Sequence, residues 1–409
     1  MIISNNLRAK FFQTTLFFLN IFILFLIFYV IFYKSKKIDY FIDEVVNLEA
    51  GVNFITSLNY KSIFFKNNFD PQISTGIFVT LVPSAAYIIT ESYVIARFVF
   101  QVFIFFLICF LIYFSKTFDD LFSLFTNVLF LFLVVQSISK ANSNFYTLGE
   151  IPSSLLYFTG LTFIDSKKYK LSFLIIGISI FLGKFILFLP AFLTILLIFV
   201  KDRKFVNFIN CFLYLFLPFG FWISLVIFQS NYSIKTYFID FIQFFINGGG
   251  VDNKTGLIRG EFFNFYNLNT QVKIVLPYFI LLFFFKYMQR KDFLKYNTHL
   301  LSITGIFLWY FLISPSMYYR YTLFFQIGYG IVVLYLFTDI ENLPKSTRLI
   351  VHLLPLFYIN SYKALIIFGF IILILYFFKI KTSYIKLLLF YFLAVDYFYI
   401  NLDIIQQIF

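Results

Sequence analysis

The side chains in this sequence best suited to chemistry are its carboxylates, because cysteine and histidine are nearly absent. The chain holds only 2 Cys and 2 His. Cys109 and Cys211 both fall inside apolar runs and read as small buried hydrophobes. His299 and His352 lack the paired spacing of a metal site, so neither a zinc centre nor a Cys or His nucleophile is expected. Gly248, Gly249 and Gly250 lack the Lys and Ser/Thr that complete a phosphate-cradling loop. Against this sparse background the acids are unevenly placed: Asp39, Asp43, Glu44, Glu49, Asp70 and Glu91 are six of the 19 Asp and Glu residues, and all lie between residues 34 and 97. Around the adjacent pair Asp43–Glu44, the residues Phe41, Ile42, Val45, Val46 and Leu48 make an amphipathic segment suited to a membrane surface. A carboxylate held there could act as a general base on the head group of a membrane-bound substrate. The plainer possibility is a solvated loop, and composition alone does not separate the two.

The elements that must position these acids are membrane helices. Of 409 residues, 61% are hydrophobic and only 12% charged, about half the charge density of an average soluble domain. Disorder is excluded by the same apolar excess. Phe, at 68 copies, is read as genome composition, replacing Leu and Ala on lipid-facing surfaces. The first apolar run, 11–33, follows Arg8 and Lys10 and is too long for a signal peptide. It is expected to be an uncleaved anchor with its N-terminus in the cytoplasm. Further runs recur as far as 385–400. Two of them, 171–200 and 349–378, are long enough for a pair of short or broken helices each. The expectation is an all-α, polytopic membrane protein of about 11 to 13 spans, forming a single transmembrane domain over 1–409 without a soluble C-terminal domain.

Charge then sets orientation. Lys167, Lys168 and Lys170, then Lys201, Arg203 and Lys204, then Lys286, Arg290, Lys291 and Lys295 fit cytoplasmic connectors. Lys345 with Arg348, and Lys379, Lys381 and Lys386, fit the same side. Two long segments, 34–97 and 230–271, are thereby placed outside. The net charge of +13 is topological and not a nucleic-acid footprint, because the basic residues do not line one face.

Several short motifs, in order, resemble the GT-C superfamily of membrane glycosyltransferases, in particular bacterial relatives of protein mannosyltransferases and lipid A aminoarabinose transferases. They are Ile42-Asp43-Glu44-Val45 soon after the first span, the stretch Phe69-Asp70-Pro71-Gln72-Ile73-Ser74-Thr75-Gly76, and Ala96-Arg97-Phe98 at the start of the second span. Leu148-Gly149-Glu150-Ile151-Pro152, Gly183-Lys184 and Tyr318-Tyr319-Arg320-Tyr321 follow. Asp70 departs from the family's frequent His or Pro at that point. The resemblance implies interfacial helices in the first outer loop and a polyprenyl-phosphate-linked sugar as donor. It also implies a hydroxyl acceptor on a cell-envelope glycan, lipid or protein, and a site on the outer face of a bacterial cytoplasmic membrane.

The same resemblance assigns roles. Asp43 is the expected base, with Glu44 structural or in the exchanged role, since adjacent helical residues do not share a face. Asp70 is either a second acid of the site or a helix cap ahead of Pro71. A divalent cation, Mg or Mn, held by Asp43 and Asp70 is a further expectation. Arg97, Lys184, Arg259 and Arg320 are expected to bind the departing phosphate. Arg97 could instead snorkel at a span end, and Lys184 could sit at the tip of a hairpin. Glu150 is read as structural, paired with a neighbouring lysine such as Lys140. Two other functions are compatible with the composition. A glycolipid flippase should show two similar halves, which the sequence lacks. An O-antigen-type polymerase should carry its large loop late in the chain and rich in Arg.

Overall fold

Backbone N–H and C=O groups in hydrocarbon must be bonded within their own segment, so the apolar runs fold as helices. The computed structural model describes residues 5–39, 42–60, 75–137, 148–229, 293–309, 322–378 and 382–407, apart from a few isolated positions. The described elements are helices, mostly α with short 3₁₀ segments. In chain order they are α1 (Asn5–Lys37), α2 (Ile42–Ser57), α3 (Ile77–Thr90), α4 (Tyr93–Ser115) and α5 (Leu121–Ser137). Next come α6 (Glu150–Asp165), α7 (Tyr169–Phe181), α8 (Phe188–Asp202) and α9 (Phe205–Gln229). Further along the chain follow α10 (Phe293–Leu308), α11 (Thr322–Thr338), α12 (Lys345–Leu353), α13 (Tyr362–Phe377), α14 (Thr382–Ile400) and α15 (Leu402–Ile405). The chain is an all-α polytopic membrane protein: four described stretches are long and apolar enough to cross a bilayer, and shorter apolar helices of 10–17 residues accompany them.

Both long runs are broken where the sequence turns polar. The first stops at the end of α7, passes Leu182-Gly183-Lys184, and resumes through a 3₁₀ turn (Phe185–Leu187) into α8. The second ends in a 3₁₀ segment (Leu354–Tyr358) that carries Pro355, then restarts at α13, where the Ser361 hydroxyl accepts from the Ala364 N–H at 3.3 Å. Ser92 caps α4 the same way, at 3.4 Å from the Ile95 nitrogen, and the Asp120 carboxylate accepts from Ser123 N–H at 2.6 Å ahead of α5. Each cap satisfies a donor that the first helical turn leaves open.

Helix α6 is central, packing against α4, α7, α10 and α11, while α2, α3 and α4 pack in sequence. Phe does more here than face lipid. Phe18 and Phe25 are exposed, but Phe100, Phe132, Phe158 and Phe173 are fully buried. The Phe28 ring lies 5.5–5.9 Å from those of Phe98, Phe105 and Phe132, joining α1, α4 and α5. The lipid-facing account of Phe is therefore corrected: aromatic edges and faces also fill the gaps between helices.

The helix ends form two polar faces. One face carries the first turn of α2, the start of α6, the α7–α8 break and the start of α13. There the Asn360 side chain donates to the Ser137 carbonyl at 2.7 Å. The opposite face carries the basic connectors, with Tyr169 donating to Asp202 at 2.7 Å and Arg348 paired to Glu341 at 2.7 Å.

Candidate functional site

The acid-bearing face is built around two buried ion pairs. The first begins in α2, whose opening turn carries both Asp43 and Glu44. Their neighbouring positions point them apart: Glu44 is fully buried, whereas Asp43 is half-buried. Glu44 meets Arg97, itself 1% exposed, in a two-pronged contact from Nε to Oε1 at 2.8 Å and from Nη2 to Oε2 at 2.5 Å. The rest of the guanidinium donates to the carbonyls of Ser35 at 3.1 Å, Ile38 at 2.8 Å and Asp39 at 3.0 Å. The Ser35 carbonyl is an open acceptor of the last turn of α1, and those of Ile38 and Asp39 follow directly after the helix end, where a cation is also favoured by the helix dipole. Five bonds match the five N–H groups of an arginine. Arg97 thus joins α1, α2 and α4, and its donors are directed at protein. Neither a snorkelling position nor a cation turned toward a ligand describes this geometry.

The second pair lies at the α7–α8 break. Lys184 reaches the Glu150 carboxylate at 3.3 Å, with side-chain exposures of 10% and 1%. Lys140, the neighbour that the sequence suggests as a partner for Glu150, lies outside the described residues. The spot is enclosed by main chain. Gly76 N–H donates to the Gly183 carbonyl at 2.8 Å and Phe78 N–H to the Leu182 carbonyl at 2.9 Å. A Cβ on Gly76 would sit 2.2 Å from the Leu182 carbonyl carbon, and one on Gly183 would sit 2.3 Å from the Ser179 oxygen. A Cβ on Gly149 would meet Lys184 Cε at 2.7 Å and the Thr75 methyl at 3.0 Å. The Ser153 and Thr75 hydroxyls are buried against this cradle and make no hydrogen bond among the described residues.

The two pairs are linked. A small apolar cluster of Ala50, Tyr60, Ile77 and Trp222 is flanked by Val46, one turn after Asp43, and by Leu182, beside Lys184. Tyr60 donates to the Thr75 carbonyl and its ring stands edge-on to Trp222 at 5.5 Å. The Ser84 hydroxyl donates to the Leu48 carbonyl at 2.9 Å, closing α3 onto α2. Asp43 and Lys184 are therefore carried by segments that flank one apolar cluster.

Asp70, Arg259 and Arg320 lie outside the described residues, as do the 230–271 loop apart from isolated positions and the Tyr318–Tyr321 motif. Of the two acids expected to hold a divalent cation, only Asp43 is described, and no group of three His, Cys, Asp or Glu side chains suited to a metal occurs among the described residues. His299 is buried against Phe158 and Tyr335, with ring centroids 5.7 and 5.0 Å away. Sequence reasoning does not single out Ser153, Thr75 or Tyr60. Thr75 sits inside one of the quoted motifs, and the signal that marks it is its junction with Gly76, a glycine with no turn to make.

No protein-family model matches the chain, and no curated protein matches it. Solved structures do. The chain is similar to ArnT from Cupriavidus metallidurans bound to undecaprenyl phosphate, with a TM-score of 0.59 and 12% identity over 92% of this chain and 75% of that one. It is also similar to the apo state of the same protein, with a TM-score of 0.54 and 11% identity over 87% of this chain and 70% of that one. In fold, this chain is an all-α polytopic membrane protein similar to these two structures.

Proposed function

We propose that this chain is a membrane glycosyltransferase that moves a sugar from a polyprenyl-phosphate-linked donor to a hydroxyl of a cell-envelope acceptor. The observation that carries the reading is a half-buried carboxylate, Asp43, on a helix that flanks the same small apolar cluster as Leu182, two residues before Lys184. The similar ArnT structure, solved with undecaprenyl phosphate, supports a lipid phosphate as the donor's carrier.

In this mechanism Asp43 takes the proton of the acceptor hydroxyl as its oxygen bonds to the anomeric carbon of the sugar. The bond from that carbon to the phosphate oxygen breaks, and its electron pair leaves with the lipid phosphate. The donor, a phosphodiester, becomes a phosphomonoester. Lys184 offsets the charge that develops on the departing oxygen. The Arg97–Glu44 pair acts at a distance from the reacting atoms by fixing the turn that presents Asp43.

The positive-inside rule supports the orientation, with the basic connectors in the cytoplasm and the ion-pair face outside. Asp43→Asn tests the base. Transfer from polyprenyl-phosphate sugars in membranes is expected to fall by roughly 10²–10⁴-fold, with insertion and thermal unfolding unchanged. Unchanged transfer would remove Asp43 from the role. The orientation is checked by introducing cysteines at Thr90 and Lys201 and labelling intact cells with an impermeant maleimide; only the first should react.

A further inference from the structure

The face of the bundle opposite the two ion pairs carries basic connectors, and two of them are joined in a way that orientation alone does not require. The stretches Phe185–Asp202 and Phe205–Leu225 are each long and apolar enough to cross a bilayer, so the short link between them lies at a membrane surface. That link is tied to the 166–168 link between α6 and α7. Tyr169 donates to Asp202 Oδ2 at 2.7 Å, and the Asn207 side chain donates to the same oxygen at 3.1 Å. Lys167, Lys168, Lys170, Lys201, Arg203 and Lys204 are carried on these two joined segments, and all six are exposed. Asp165 and Asp202 are the acids beside them, and Asp202 is engaged by Tyr169 and Asn207.

Two of the cations stand where glycine costs less. Lys167 has φ 55° and Arg203 φ 51°, the left-handed region that a residue with a Cβ enters at a cost. Both close helices. The Lys168 N–H donates to the Phe163 carbonyl at 3.0 Å and the Lys167 N–H to that of Ile164 at 2.9 Å, while the Arg203 N–H donates to that of Phe199 at 2.9 Å. A cation near such an end is favoured by the helix dipole, but α8 already holds Lys201 in its last turn. Arginine in a glycine position therefore sets a further guanidinium on the surface. Beside it Val200, Phe205 and Val206 are 69, 63 and 68% exposed, an apolar margin suited to acyl chains beneath a charged headgroup. We infer that the two joined connectors form a binding site for an anionic phospholipid of the leaflet they face. Lys168, Arg203 and Lys204 hold its phosphate, and its acyl chains lie along Val200, Phe205 and Val206. The inference is independent of the transfer reaction proposed above.

The test measures lipid binding to purified full-length protein in uncharged detergent by native mass spectrometry. Phosphatidylglycerol and phosphatidylcholine of equal chain length are titrated separately. Wild type should bind phosphatidylglycerol about tenfold more tightly, and Arg203→Gln or Lys204→Gln should each weaken it about fivefold, the scale of one cation at an anionic membrane surface. Phosphatidylcholine should be unaffected. Lys345→Gln removes the same charge from another connector of this face and should leave both lipids unchanged. Tyr169→Phe removes no charge but cuts the bond between the links, and should weaken phosphatidylglycerol about threefold. Arg203→Gly should lose lipid as Arg203→Gln does while keeping or raising the midpoint of thermal unfolding, which a structural role for the arginine would not allow. Equal wild-type affinity for the two lipids overturns the inference, and this comparison decides alone if a variant fails to fold. Glycerol phosphate bound as tightly as phosphatidylglycerol also overturns it, since the site would then serve a soluble anion. If Lys345→Gln weakens phosphatidylglycerol as much as Arg203→Gln, or Tyr169→Phe changes nothing, the cations act as diffuse charge and the assembled site is refuted.

Discussion

The two buried ion pairs on one face of the bundle differ in almost everything except charge. Arg97 and Glu44 meet through two short contacts and three further carbonyl bonds, so every donor has a protein acceptor. Lys184 and Glu150 meet at 3.3 Å, with two unbonded hydroxyls close by and three glycines around them. A saturated guanidinium is a joint between helices. An ammonium at a longer contact, beside neutral hydroxyls with no hydrogen bond among the described residues, has the character of a site.

The comparison can be broken by mutation. The largest loss is expected for Arg97→Ala, which leaves Glu44 and three helix-end carbonyls without this donor. Removing one partner of a buried pair costs about 3–5 kcal/mol, read as a lowered midpoint of thermal unfolding in detergent. Arg97→Lys should recover only part of it, since an ammonium supplies three donors against five. Gly76→Ala comes next, at about 1–3 kcal/mol, because the added methyl meets the Leu182 main chain. If Gly76→Ala is neutral, the loop is not clipped to the α7–α8 break.

Lys184→Met sharpens the contrast. It should cost about 1–3 kcal/mol as a single change, and the double change Lys184→Met with Glu150→Leu should restore most of that stability without restoring transfer. The matching double change, Arg97→Met with Glu44→Leu, should not restore stability, because the carbonyls at the end of α1 stay unsatisfied. Equal rescue in both cycles would abolish the distinction between joint and site. The smallest effect expected is Ser92→Ala, about 1 kcal/mol from the lost cap of α4, with transfer unaltered.

Much of the fold is legible in the sequence because hydrocarbon leaves a chain few choices. Apolar runs become helices, and the breaks at Gly183-Lys184 and near Asn360 fall where polarity interrupts them. The start of α2 is legible from Asp43-Glu44 among amphipathic neighbours. What fails to show is partnership. Arg97 carries the mark of a phosphate-binding cation, yet its acceptor, Glu44, is 53 residues away in the sequence. No spacing rule spans that distance. Sequence proximity offers Lys140, which lies outside the described residues, as a partner for Glu150, and gives no hint that the α7–α8 break brings Lys184 to it from the far end of a helical hairpin. Ser153 and Thr75 give no signal because a hydroxyl in a membrane helix usually bonds its own preceding turn, as Ser154 does at 2.7 Å to the Glu150 carbonyl.

The two main-chain bonds that join Gly76 to Gly183 and Phe78 to Leu182 have an evolutionary consequence. They fix the position of a charged residue while leaving almost no trace of their own in side-chain identity. Around such a clip, every contact except two glycines is free to drift, and the architecture survives. A relative of this chain would then be recognised by a pair of residues lacking a Cβ, one ahead of α3 and one ahead of the lysine, long after its aromatic filling had been exchanged for another.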